Sequence, residues 1–179
     1  MLAEFRPTWM LESIYDLTPK EAQEKNIRLI LTDLDNTLIA WNNPNGTPQL
    51  RDWLATMNEA GLPVVVVTNN SAKRAARALR QLKLPFVSRA LKPLNHGINQ
   101  AKKRYQVNSS EVVVVGDQLL TDILAANNAH VRSILVKPLV ETDAWITKFN
   151  RRTERIVKNK LLRKGYLKKT WGHSLNEQK

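Results

Sequence analysis

Two uninterrupted runs of four valines, at 64–67 and 112–115, constrain the fold of this chain more than any other feature. A strand with one wet face alternates apolar and polar side chains. A run that does not alternate has both faces buried, as in a parallel sheet covered by helices on each side. Further β-rich runs stand around these two, at 27–31 and 131–136, with a weaker one at 84–87. The segments between them carry helical signals. Pro48 can open a helix over 49–60 that Gly61 stops, and Ser71 can cap one over 72–82. Pro93 can open another reaching Tyr105, and 121–128 is short and Ala-rich. Strand–helix alternation of this kind implies an α/β fold, a doubly wound, Rossmann-like parallel sheet with right-handed crossovers.

At 179 residues the chain suits one domain with a sizeable core. We place that core at 27–145, between two flanks. Residues 1–26 are expected to pack on the core, with Thr18-Pro19-Lys20-Glu21 forming a capping box. Residues 146–179 form a basic tail in which 146–164 reads as an amphipathic helix. Ile146, Phe149, Ile156, Val157 and Leu161 share one face, and most Lys/Arg side chains oppose them. That pattern fits a docked surface helix or an interfacial membrane helix.

The formal charge is +12, unevenly distributed. Residues 1–50 carry four Lys/Arg against seven Asp/Glu, whereas 146–179 carry eleven against two. Such a block points to an anionic partner, a lipid surface or a nucleic acid, or else to a solvated face that aids solubility. The absence of cysteine excludes a disulfide framework and a Cys-ligated zinc site. The first residues lack the pattern of a signal peptide, and the apolar runs are too short to cross a bilayer. A cytoplasmic location is the expectation.

Chemistry concentrates where strands end. Asp33 and Asp35 follow the first core strand, two residues apart, so both carboxylates can face one crevice at its carboxyl end. Hard oxygen donors grouped this way suit Mg²⁺. Alone, such a pair reads first as an acidic turn that ends a strand. Gly116-Asp117-Gln118 and then Asp122 bring further acids to the end of a second strand. Thr68-Asn69-Asn70-Ser71 supplies hydroxyls, amides and a helix start at the end of a third, where backbone amides favour phosphate. Lys92 stands alone before the next helix. The three histidines show no metal-ligand spacing.

In that order, DLDNT at 33–37, TNN at 68–70, Lys92 and GDQLLTD at 116–122 resemble the four motifs of phosphatases of the haloacid dehalogenase (HAD) superfamily. The resemblance implies a HAD-like fold and a Mg²⁺-dependent hydrolase. Asp33 would be the nucleophile that becomes an aspartyl-phosphate, and Asp35 the general acid and then base. Thr68 and Lys92 would hold the phosphoryl oxygens. Asp117 would bind Mg²⁺ together with Asp33 and the backbone carbonyl of Asp35, and Asp122 would orient the metal shell. Asn69 is a further candidate phosphate contact, although Asn36, Asn69 and Asn70 also read as loop organisers. Trp41 is a candidate for the site mouth.

Only about thirty residues separate Asp35 from Thr68, and one helix plus one strand use most of them, so no cap domain is expected. An open site suits a large substrate or a lipid headgroup. The fuller resemblance, through Phe5-Arg6-Pro7, DLDNTLIAW and GDQLLTDILAAN, is to subclass III enzymes of the YqeG type. Through them it extends to phosphatidylglycerophosphate phosphatases. It implies an anionic lipid phosphate as substrate, with peripheral membrane contact through 146–179. The alternatives are a phosphatase for soluble nucleotide or sugar phosphates, and a non-catalytic module binding nucleic acid through its tail. Against the last, Asp33, Asp35 and Asp117 are all present, and aromatic residues do not interleave with the tail charges.

Overall fold

The computed structural model describes residues 2–40, 43, 45–140 and 148–177, with side chains throughout except at 148–151. Trp41 and Ile146, and the side chain of Phe149, lie outside the described residues. Six strands form one sheet: β1 (Trp9–Leu11), β2 (Leu29–Thr32), β3 (Val64–Val67), β4 (Phe86–Val87), β5 (Val112–Gly116) and β6 (Arg132–Val136). Their order is β1-β6-β5-β2-β3-β4, and every pairing is parallel. From β2 the chain winds outward to β3 and β4, then returns to β5 on the other side. The switch point lies between β2 and β5, where open α/β sheets bind ligands.

The valine runs behave as their lack of alternation requires. Ile30, Val64, Val66, Val113 and Val115 point into one apolar cluster, which also contains Leu50, Trp53 and Met57 of α2 (Pro48–Glu59). Leu29, Leu31, Val65, Val67, Val112 and Val114 point into the opposite cluster, with Ile98 and Ala101 of α4 (His96–Tyr105) and Ala125 and Ala126 of α5 (Leu124–Asn128). Side chains that alternate between two buried faces are the physical basis of an unbroken apolar run.

The capping box is present. Thr18 caps α1 (Pro19–Glu24) and Glu21 returns to it. Ser71 caps α3, but α3 spans only Ala72–Ala78. Beyond it Leu79 is buried, Lys83 takes a positive φ, and Pro85 accepts from the Val66 amide. The chain turns there to lay β4 against β3. The fourth helix starts at His96 rather than Pro93, because residues 91–94 form a turn closed by the Leu94 amide on the Leu91 carbonyl, 2.7 Å.

Both flanks join the core more closely than the sequence indicates. Trp9–Leu11 is an edge strand of the sheet, paired with β6. The basic helix α6 (Lys148–Arg163) docks through Leu161, fully buried, and Val157, half-buried. With Leu167 they meet Met10, Leu119, Ile123 and Leu135. Ile156, expected on the same face, is 48% exposed, so only part of that face is docked. Among the described residues, no helix is long and apolar enough to cross a membrane.

Candidate active site

Asp33 follows β2, and its amide donates to the Val115 carbonyl at 2.9 Å, carrying the β2–β5 pairing one residue past the strand. This places Asp33 beside Asp117, the first residue after β5. Beyond Asp33 the chain doubles back, with the Asn36 amide on the Ile39 carbonyl at 2.7 Å. Thr37 on this return donates its hydroxyl to Asp117 Oδ1 at 2.9 Å.

Asp122 enters from a π-helical turn at Leu119–Ile123, where Gln118 receives both the Asp122 and Ile123 amides. The widened turn directs the Asp122 side chain inward, where it is 1% exposed. Gly116 makes room for it. A Cβ there would lie 2.3 Å from Asp122 Cβ, so no other residue fits at that position.

Lys92 is the centre of charge. Its Nζ donates to Asp33 Oδ1 at 2.6 Å and to Asp122 Oδ1 at 2.7 Å, with 5% of the side chain exposed. The Asn69 side chain clamps the backbone of Lys92, receiving its amide at 2.8 Å and donating to its carbonyl at 2.9 Å. Both polar groups of the Asn69 side chain are engaged in this clamp, so the side chain anchors Lys92. Asp122 likewise grips the lysine as well as lying near the other acids. Thr68 is buried, and its hydroxyl accepts the Asn70 amide at 3.2 Å.

One carboxylate oxygen from each of Asp33, Asp117 and Asp122 lies within 4.8 Å of the other two. Burial pushes the Asp33 carboxyl up to about 6, against the pull of Lys92 and with a further push from Asp122. Burial also drives Asp117 well above the ordinary carboxylate range, reinforced by repulsion from Asp122 and Asp33. The Lys92 ammonium is held protonated by its two carboxylate partners, although burial opposes this. Three hard carboxylates crowded round one cation make a donor set that fits a divalent ion such as Mg²⁺.

The Asp35 side chain stands apart from this group and is not part of the carboxylate cluster. It accepts from Asn70 Nδ2 at 2.9 Å and from Arg74 Nη2 at 3.3 Å, the latter an exposed pair at the mouth. Its expected metal contact is through the backbone carbonyl, which this separation leaves untouched.

Sequence reasoning missed four participants: Thr37, Asn70, Arg74 and Glu154. Glu154, on α6, receives the Leu119 amide at 2.5 Å and the Leu120 amide at 3.1 Å, caps the start of the π-helical turn, and is pushed up by burial. A signal was available, because Glu154 is one of only two acids in the basic stretch 146–179.

Similarity to known proteins shows the family and the fold. A family model described as HAD-hydrolase-like matches residues 89–162. A Bacillus subtilis (strain 168) protein named "Probable phosphatase YqeG" is 40% identical over 163 residues, covering 91% of this chain and 95% of that one. The crystal structure of an uncharacterized protein from Listeria monocytogenes serotype 4b matches with a TM-score of 0.53 at 12% identity. It covers 74% of this chain and 99% of that one, a likeness of fold.

Proposed function

The chain belongs to the HAD-like hydrolases as a phosphatase, and from that premise we propose a Mg²⁺-dependent enzyme that works through an aspartyl-phosphate on Asp33. Its proposed substrate is phosphatidylglycerophosphate, in phospholipid synthesis. The observation that carries the chemistry is the buried Lys92 ammonium between Asp33 and Asp122, beside Asp117 at the switch point.

Phosphoryl transfer depends on positioning and on cancelling charge. Asp33, Asp117 and the backbone carbonyl of Asp35 would hold the ion, which supplies positive charge where an anionic carboxylate must meet an anionic phosphate. A carboxylate oxygen of Asp33 attacks phosphorus, and the bond to the leaving oxygen breaks as Asp35 delivers a proton to that oxygen. Water then attacks the acyl phosphate, its proton passes to Asp35, and inorganic phosphate leaves Asp33 as a carboxylate.

Exposure matches this division of labour, with 13% for the Asp33 side chain and 37% for Asp35. The nucleophile is recessed, and the acid stands at the mouth where a leaving group departs. Lys92 keeps one of its three N–H directions for a phosphoryl oxygen, and Thr68 lies buried at the end of β3.

A lipid substrate is supported by the open architecture. Among the described residues, α2 is the only helix between Asp35 and Thr68, and α3 the only one between Asn70 and Lys92. The test is phosphate release from phosphatidylglycerophosphate in mixed micelles with Mg²⁺, with Asp33→Asn as the blank. Release by the native protein alone is expected. Turnover of a soluble phosphate ester without release from the lipid would retain the chemistry and replace the substrate with a soluble phosphomonoester.

A further inference from the structure

Four large apolar side chains are exposed among the described residues: Leu91, Leu94, Leu139 and Ile156. Three of them stand on loops leaving the carboxyl ends of β4 and β6, the sheet edge that carries the site. Leu91 and Leu94 flank Lys92 and are 54% and 60% exposed. The Leu139 amide donates at 2.9 Å to the carbonyl of Asn36, the residue after Asp35.

These positions are pinned. Asn69 clamps the Lys92 backbone, Asn128 Nδ2 donates to the Pro93 carbonyl at 3.0 Å, and the 91–94 turn is closed on itself. The same bonds that set the site therefore hold Leu91 and Leu94 at the surface. Cations stand at the same edge of the sheet. Lys73 and Arg74 lie exposed in the first turn of α3, and exposed Arg89 donates its amide to the Asn70 carbonyl at 2.9 Å.

We propose that this rim is a docking surface for an anionic phospholipid bilayer. Leu91, Leu94 and Leu139 enter the boundary of the acyl region, while Lys73, Arg74 and Arg89 meet lipid phosphates. The proposal rests on the lipid reading above. It moves the membrane contact from α6, whose Leu161 and Val157 are engaged with the core, to the site itself. A protein covering this rim would seal the crevice. A surface that itself presents the phosphomonoester covers the rim and feeds the site at once.

The test is co-sedimentation with phosphatidylcholine vesicles, with and without phosphatidylglycerol, alongside turnover of p-nitrophenyl phosphate by the native protein. Native protein should bind the anionic vesicles. Leu94→Ser and Leu139→Ser should each weaken binding about tenfold or more, and Lys73→Glu should weaken it several-fold, most strongly at low salt. The α6 double variant Arg152→Glu/Arg155→Glu should bind nearly as the native protein does. Unaltered melting temperatures would show that the variants fold.

Equal binding by the leucine variants, or loss confined to the α6 variant, would overturn the proposal. So would soluble turnover without vesicle binding, which would leave the phosphatase reading intact and point to a protein partner at the rim. Leucine-dependent vesicle binding without turnover of any ester would uphold the docking surface and sink the phosphatase reading.

Discussion

Glu21 and Asp117 are both carboxylates largely withdrawn from water, and their proton affinities move in opposite directions. Burial pushes Glu21 up, but hydrogen bonds from Ser174, Thr18 and the Leu175 amide carry it below its ordinary value. These contacts tie α1 to the chain's last described turn, with the Leu175 amide 3.0 Å from Oε1 and the Thr18 hydroxyl 3.0 Å from Oε2. Asp117 has the Thr37 hydroxyl but two carboxylates for neighbours, and it rises. Burial alone therefore does not mark the site. What marks it is a shortage of donors among crowded charges, which leaves acceptor capacity for an ion and a phosphoryl group. Glu154 stands between the two cases, with two amide donors yet a raised proton affinity because burial outweighs them.

The sharpest way to break this contrast is to remove the buried cation of the crevice, Lys92. Lys92→Ala leaves Asp33 and Asp122 together without a counter-charge, and urea denaturation should show a loss of about 3–5 kcal/mol. A loss too small to measure would mean that these acids find other donors. Glu154→Ala should come next. It strips the Leu119 and Leu120 amides of their acceptor at a cost of about 1–3 kcal/mol, and it should also slow turnover by loosening the turn that carries Asp122. Stability loss with unchanged turnover would confine Glu154 to holding α6.

Glu21→Gln should cost about 1 kcal/mol at neutral pH. Because its folded proton affinity is lowered, the stabilisation by Glu21 is present above the unfolded value of 4.5 and is lost as the pH falls through the depressed folded value. The difference between native and variant should therefore close on the acid side. The crevice has the opposite sign in protein stripped of divalent ions. Asp33 moves from 3.8 to about 6, so its contribution is present below 3.8 and lost as the pH rises through about 6. Accordingly Asp117→Asn should abolish turnover yet stabilise the ion-free protein by about 1 kcal/mol near neutrality. Destabilisation instead would mean that Asp117 is as well supplied with donors as Glu21.

Much of the architecture was legible because it is encoded locally. Valine runs report two buried faces, and Thr18-Pro19-Lys20-Glu21 reports its own cap, since each pattern is satisfied within a few residues. The edge strand Trp9–Leu11 was not legible. Three residues are too few to show a period, and the strand exists only because β6 offers it a partner. The extent of α3 was overread for a related reason, because where it stops depends on Leu79 reaching the core and not on propensity.

For the site, the sequence by itself determined that acids, a threonine and a lysine stand at strand ends, in an order that marks the family. Only the tertiary structure decided what each one touches. Lys92 meets Asp33 across 59 positions of chain. The Asn69 side chain turns to the lysine backbone, and a carboxylate of the basic tail caps the turn that presents Asp122. Strand ends follow from local patterning, whereas charge partners and donor supply depend on segments that become neighbours only when the sheet assembles.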